Sequence, residues 1–152
     1  MPRQPTTLAP PHNPHPMRAL IIASDGEEGG LVVLEVDGQR LGAMDCTGYG
    51  HSEQAYPEVG SEFTPKFACL FGDDASWSSV FSGNPEHRSE VVSTGAWSYR
   101  AFGKLISVDI DVGEAVARCG PCDLPLPIEV SDPALIGASV AFDVQRLDVW
   151  RA

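Results

Sequence analysis

The sequence is poor in basic side chains, in long apolar runs and in helical patterns. Its 152 residues include 10 lysines and arginines against 21 acidic residues, so the formal net charge is -11. Such a field repels phosphate backbones and anionic lipid headgroups, and it attracts basic partners. No stretch approaches the ~20 apolar residues that a membrane span needs. No segment repeats apolar residues at helical spacing over helical length. These absences favour an all-β protein without a membrane span, and they make a basic protein a better partner than nucleic acid.

The N-terminal segment, residues 1–17, contains six prolines and no hydrophobic run. Proline neither donates to a β ladder nor fits a helix interior, so the composition predicts a disordered tail. Residues 18–152 then form one domain, and a chain of ~150 residues can bury a core without a metal or a disulfide. The start also lacks the apolar segment of an export signal. We therefore expect a cytoplasmic protein whose four cysteines stay reduced.

Short β runs broken by turn-forming residues dominate the rest of the chain. Asp37-Gly38, between LVVLEV and QRLGAM, predicts a tight hairpin, because a type I′ turn needs two residues that accept positive φ. In EFTPKFACLF the apolar residues alternate, and Pro65 cannot donate to a ladder, so this run is predicted to be an edge strand. The residues expected on its buried face are Phe63, Phe67, Cys69 and Phe71.

Two changes of alternation predict bent strands. Along AWSYRAFGKLISVDIDV the apolar residues stand at odd positions up to Tyr99 and at even positions from Ile106, which predicts a bulge at Phe102-Gly103. The last strand run switches in the same way near Gln145-Arg146. Bends of this kind curl small sheets into barrels. The predicted fold is an all-β, small, curled Greek-key barrel of OB-like type, with about seven strands and one or two short helical turns.

One helical turn is predicted in GDDASWSSVFSGNP, where Asp74 or Ser76 can cap it. Trp77, Val80 and Phe81 share a face there, which favours a core-facing Trp77. The alternative is that Trp77 is exposed and anchors a partner. A second turn is predicted after Ser131 or Asp132.

Cys119-Gly120-Pro121-Cys122 has the spacing of the thioredoxin redox motif. In thioredoxins the second cysteine begins a long helix, whose positive end lowers the pKa of the thiol. Here Pro125 and Pro127 forbid that helix, and only thirty residues follow Cys122. The motif is therefore interpreted as a tight turn after a strand.

The other patterns predict neither a metal site nor a cofactor. Cys119 and Cys122 have the spacing of half a zinc site, but the remaining cysteines, Cys46 and Cys69, do not form a second close pair. DIDVGE begins like a calcium loop but lacks the glycine and glutamate positions that such a loop requires. Strand alternation explains it instead, with Ile110 and Val112 inward and Asp109 and Asp111 toward water.

The candidates for catalysis are weak. Cys46 and His51 could form a nucleophile and a base, but nothing in the sequence marks an orienting group or an oxyanion site. His87 stands alone in NPEHRSE, and no phosphate-binding or nucleophile-elbow motif occurs. The sequence therefore predicts no enzyme.

Two function classes remain. The first is an acidic protein-binding module that docks on a basic protein, as bacterial immunity proteins and inhibitors or accessory subunits do. The second is an OB-like oligonucleotide-binding domain, which would require Arg100, Lys104, Arg118 and Arg146 to converge near exposed aromatics. The first is favoured by the charge and by acidic loops with an aromatic anchor. Its expected contact residues are Asp25, Glu27 and Glu28 in DGEEGG, and Asp73, Asp74 and Trp77 in GDDASW.

Overall fold

A computed structural model describes residues 17–48 and 58–152. The predicted tail, except for Met17, therefore lies outside the described residues, and so do Tyr49, His51 and Tyr56.

The described part contains eleven strands, one α-helix and one 3-10 turn. The strands are β1 (Ala19–Ser24), β2 (Leu31–Val36), β3 (Gln39–Asp45), β4 (Glu62–Phe63), β5 (Pro65–Leu70), β6 (Glu90–Ser93), β7 (Tyr99–Asp109), β8 (Glu114–Cys119), β9 (Cys122–Pro125), β10 (Ser139–Val144) and β11 (Arg146–Arg151). The helix α1 is Trp77–Ser82, and the 3-10 turn is Pro133–Leu135.

The strands form two curled sheets. The first has the order β4-β1-β2-β3-β11-β5, and the second has the order β10-β7-β8-β9, with β6 also paired to β7. β10 and β11 are one run of chain that leaves the second sheet and enters the first at Gln145. The predicted bend near Gln145-Arg146 is therefore confirmed, because this crossing joins the two sheets around one core.

The core lies between the two sheets and follows strand alternation. Val32, Leu34 and Val36 of β2 are at most 1% exposed, while the residues between them are half-buried. The Tyr99 hydroxyl of the second sheet donates to the Gly42 carbonyl (2.8 Å) and accepts from its N–H (2.7 Å), which ties β7 to β3. The fold is thus all-β, curled and barrel-like, as predicted, although the strands are shorter and more numerous than expected.

Several local predictions are confirmed. Asp37 and Gly38 have φ values of 50° and 82°, as a type I′ hairpin requires. β5, which contains Pro65, is an edge strand of the first sheet. Ser76 caps α1 by accepting from the N–H of Ser79, and a second, 3-10 turn begins at Pro133 after its cap at Asp132.

The bulge in β7 lies elsewhere than predicted. The pairing of β7 with β8 shifts between Leu105 and Ser107, whereas Gly103 remains in regular register with Val140 of β10. The buried positions keep odd parity through Ala101, Gly103 and Leu105. Ala101 and Gly103 are buried but carry little apolar surface, so the hydrophobic pattern does not show that they continue the buried face. The predicted change of alternation therefore fell before its actual position.

Candidate functional site

The two cysteines of the CGPC motif close the tight hairpin between β8 and β9. Cys119 pairs directly with Cys122, and Gly120 has a φ of 55°. The segment after Cys122 is strand β9, not a helix, which confirms the predicted turn. Burial, followed by the nearby Asp123 carboxylate, raises the pKa of Cys119 to about 12. Burial also raises the pKa of Cys122. Both thiols are therefore protonated at neutral pH, which is the opposite of a redox-active cysteine.

Burial raises the pKa of Cys69, and charge repulsion from Cys119 raises it further. Cys69 therefore lies near this pair. Even so, within residues 17–48 and 58–152 no group of three or more His, Cys, Asp or Glu side chains has the geometry to hold a metal ion. Cys46 lies in a different environment, among Asp148, Glu28 and Arg146. The four cysteines thus serve two separate parts of the core.

Cys46 follows β3 in a buried polar cluster at the junction of β3 and β11. Burial, and then the carboxylates of Asp148 and Glu28, raise the pKa of Cys46 to about 11. Asp45 accepts hydrogen bonds from the N–H (3.0 Å) and the hydroxyl (2.6 Å) of Thr47. A protonated thiol among carboxylates is a poor nucleophile. Cys46 is therefore unsuited to act as the nucleophile of a Cys46–His51 pair. His51 lies outside the described residues.

The first acidic loop, Asp25, Glu27 and Glu28, joins β1 to β2. The Asp25 carboxylate accepts from the N–H of Leu31 (3.0 Å), so it shapes the turn. Glu28 is half-buried, and its carboxylate acts on Cys46. Glu27 is exposed. Asp25 and Glu28 therefore also interact within the fold, although Asp25 and Glu27 are exposed.

The second acidic loop, Asp73 and Asp74, precedes α1 and is exposed. No salt bridge among the described residues includes either carboxylate. Trp77 is 50% exposed, so the expectation that it points into the core is wrong. Val80 fills the buried position of α1 instead, and Trp77 stacks on Phe81 with ring centroids 4.7 Å apart. The helix is one and a half turns long, and only part of its apolar face reaches β10.

A pocket of about 340 Å³ lies between this loop, α1 and β10. Its walls include Phe71 and Phe142, whose rings meet edge to face at 5.9 Å. Asp74 contributes a carboxylate at one side, and Arg100 and Asp143 form a 3.3 Å ion pair at the other. The pocket therefore combines aromatic walls with two carboxylates and one guanidinium.

The structure does not bring the two acidic loops together. Gly29 of the first loop bonds to Asp45 (2.9 Å), which pairs with Val149 of β11. Gly72, beside the second loop, lies against Gln145, the residue before β11. Gln145 and Val149 are four positions apart, which is ~13 Å along the strand direction. The loops therefore lie beside different parts of β11 and form two surfaces.

A third surface was missed by the sequence analysis. The ladder between β7 and β8 ends at the pair Asp109 and Glu114. Ile110 and Val112 lie beyond it in the turn and are 56% and 57% exposed, so their predicted inward orientation is wrong. Asp111 is exposed as predicted. The result is an apolar tip surrounded by carboxylates. The sequence feature that marks this turn is Gly113, which directly follows Val112 and has a φ of 74° in the structure.

The basic residues converge only in part. Arg100, Phe102 and Lys104 alternate along one side of β7, and Arg118 pairs opposite Lys104. Arg146 lies on β11 of the first sheet, bonded to Asp148. Arg118 is bridged to Asp123, Arg100 to Asp143 and Arg88 to Glu90. The Phe102 ring is covered by the guanidinium of Arg88, 4.3 Å from the centroid.

Comparisons of the chain with protein-family models, with curated proteins and with solved structures give no match. In the described part of the chain, no helix is long and apolar enough to span a membrane.

Proposed function

We propose that this protein is a non-catalytic binding module that docks on a basic protein partner, in the manner of an inhibitor, an immunity protein or an accessory subunit. The observation that carries the proposal is Trp77, half exposed on α1 and directly beside the acidic loop Asp73-Asp74. We name Asp73, Asp74 and Trp77 the Trp77 surface.

The Trp77 surface has the properties of an interface centre. Aromatic anchors account for much of the binding energy at interfaces, and contact with the Phe81 ring, 4.7 Å between centroids, restricts the movement of the Trp77 ring before binding. The Asp73 and Asp74 carboxylates lie outside the salt bridges of the described residues. Such charges accelerate encounter with a basic partner, and the attraction weakens as salt approaches ~0.15 M.

The adjoining pocket suits a basic side chain. The half-buried Phe71 ring can pack along an aliphatic stem, while Asp74 supplies a carboxylate for the charged end. The first acidic loop, with Asp25, Glu27 and Glu28, is a second and weaker contact surface, since Asp25 and Glu28 also interact within the fold.

Oligonucleotide binding is the second candidate, because Arg100, Lys104 and Arg118 share the side of β7 and β8 that carries Phe102. Three arginines on that side are bridged to carboxylates, and Arg88 covers the ring that a base would stack on. The geometry therefore favours a protein partner over a nucleic acid.

The test is affinity isolation from cells of origin with four forms of the chain as bait: the wild type, Trp77→Ala, Asp73→Asn with Asp74→Asn, and Val92→Ala as the control. Val92 is 38% exposed on β6. We expect one basic protein to be recovered by the wild type and the control, and at least tenfold less by the other two. Recovery should fall between 0.05 and 0.5 M salt, roughly as the Debye length falls. Equal recovery by all four baits, or recovery of nuclease-sensitive nucleic acid, would contradict the proposal.

A further inference from the structure

An apolar groove of about 500 Å³ lies between β5 and β9, the edge strands of the two sheets. Phe67 and Pro65 line it from β5, and Val116 and Pro125 line it from the β8–β9 hairpin. In the described part of the chain, β5 pairs only with β11 and β9 only with β8. Two edge strands, each paired on one side within the described residues, therefore line one largely apolar groove. Proteins usually cover such sheet edges.

The described chain begins in this groove. Met17 lines it and packs against the core, so residues 1–16 are attached at its rim. An extended proline-rich segment spans ~3.1 Å per residue, which gives these sixteen residues a reach of roughly 50 Å. From Pro65 to Ala68 the groove wall is only ~10 Å long. The residues just before Met17 can therefore cover it without strain.

The chemistry of residues 1–16 matches the groove. The segment contains six prolines and Leu8, and proline-rich chains bind grooves lined by aromatic side chains, as Phe67 lines this one, without needing N–H donors. The segment carries Arg3 and no acidic residue. The groove wall carries the carboxylates of Glu114 and Asp123 and the ammonium of Lys66, and Asp123 is paired with Arg118. Charge therefore adds little, and the apolar match is what favours this occupant.

We infer that residues 1–16 bind in the groove between β5 and β9 of their own chain and cover the two sheet edges. The inference rests on this groove and on Met17, and not on the Trp77 surface. It gives the segment a function, which is to keep the two edges from pairing with other chains.

The experiment is NMR spectroscopy of the isotope-labelled full chain, with a synthetic peptide of residues 1–16 as the reference. We expect amide signals of the segment to differ from those of the peptide, and nuclear Overhauser effects to join Leu8 to the Val116 methyl groups or the Phe67 ring. Val116→Arg should move the segment's signals to their positions in the free peptide. Val92→Arg, on β6 and away from the groove, should leave them unchanged.

A variant outside the domain controls for misfolding. Leu8→Asp should shift the amide signals of Lys66 and Ala68 on the groove wall while the thermal unfolding midpoint changes by less than 2 °C. Segment signals identical to those of the free peptide in the wild type would overturn the inference. So would Overhauser effects found only between differently labelled copies in a mixed sample, because the occupant would then be a second copy. Failure here leaves the affinity isolation at the Trp77 surface unaffected, so the two proposals can fail separately.

Discussion

The two turns that flank β8 each contain apolar residues and a glycine with positive φ, but their environments are opposite. The turn before β8 exposes Ile110 and Val112 by more than half. The turn after β8 holds Cys119 and Cys122 at 0% and 1% exposure. The difference comes from the neighbours, because Gly120 lies against the backbone of Glu90 and bonds to Ser89, whereas the first turn extends past the end of its ladder. Strand alternation therefore predicts burial only where another strand or loop covers the position.

The largest expected effect is at Gly103, where β7 passes the buried end of β8. A Cβ at this position would lie 2.6 Å from Sγ of Cys119 and closer still to the carbonyl oxygen of Arg118. Gly103→Ala should therefore lower the free energy of unfolding by about 3 kcal/mol, the upper range for overpacking. Urea unfolding measures this, with Ser107→Ala in the same strand as the control. A loss below about 1 kcal/mol would show that β7 and β8 separate easily.

The next effect tests the cysteines at the buried turn. Cys119→Ser and Cys122→Ser should each cost about 1–3 kcal/mol, because a hydroxyl buried without a good partner loses its hydration. Cys69→Ser should cost less, since Cys69 is only half-buried.

The interpretation of the CGPC motif as a turn can be tested directly. The wild type should not reduce insulin disulfides, and the double serine variant should retain the same zinc content as the wild type. Reductase activity in the wild type would contradict the interpretation of the CGPC motif.

The same thiols give a pH dependence. Their pKa values are raised in the folded state, to about 12 for Cys119, from an ordinary value near 9. The folded state thus holds protons that the unfolded state releases, so their stabilisation is complete below pH 9 and is lost as pH rises from 9 to about 12. The loss is at most about 1.4 kcal/mol per thiol at one pH unit above 9. Cys119→Ala with Cys122→Ala should reduce the slope between pH 8 and 10.5 in urea titrations, while Cys46 and Cys69, whose pKa values burial also raises, keep part of it. An unchanged slope would assign it to other groups, such as Tyr99.

The elements that the sequence predicted correctly are those fixed by local chemistry. Asp37-Gly38 needs positive φ, Pro65 cannot donate to a ladder, and Ser76 caps a helix. Each of these constraints acts within a few residues, and each is found where it was predicted.

The positions that the sequence did not predict depend on distant neighbours. The β7 bulge follows from its pairing with β8. The exposure of Trp77 follows from how the short α1 rests on β10, and no residue near Trp77 in the sequence specifies that contact. The candidate site depends on such contacts between residues that are distant in the sequence. Its acidic residues could therefore be named from the sequence, but their separation along β11 could not.

A smaller effect is expected at the outer side of the buried turn. Arg118 bonds to Asp123 across the hairpin, and their side chains are 38% and 47% exposed. Solvent screens such a pair, so Arg118→Met should cost only ~0.2–1 kcal/mol, and less in high salt. Arg40→Met, on β3, is the control for removing one positive charge. A salt-independent loss larger than this range would mean that the Arg118 stem, and not its charge, packs against the hairpin.

The smallest effect is expected at the exposed turn, and it distinguishes the two ends of β8 most directly. Ile110→Asn with Val112→Asn removes two large apolar side chains, yet the free energy of unfolding should change by less than about 0.5 kcal/mol, because both are already largely in water. Val108→Asn, only two residues from Ile110 and 7% exposed, should cost several times more, since it places an amide in the core. Urea unfolding of the three proteins gives the comparison. If the double variant lost as much stability as Val108→Asn, the tip would pack against the fold, and its apolar residues would be unavailable to a partner.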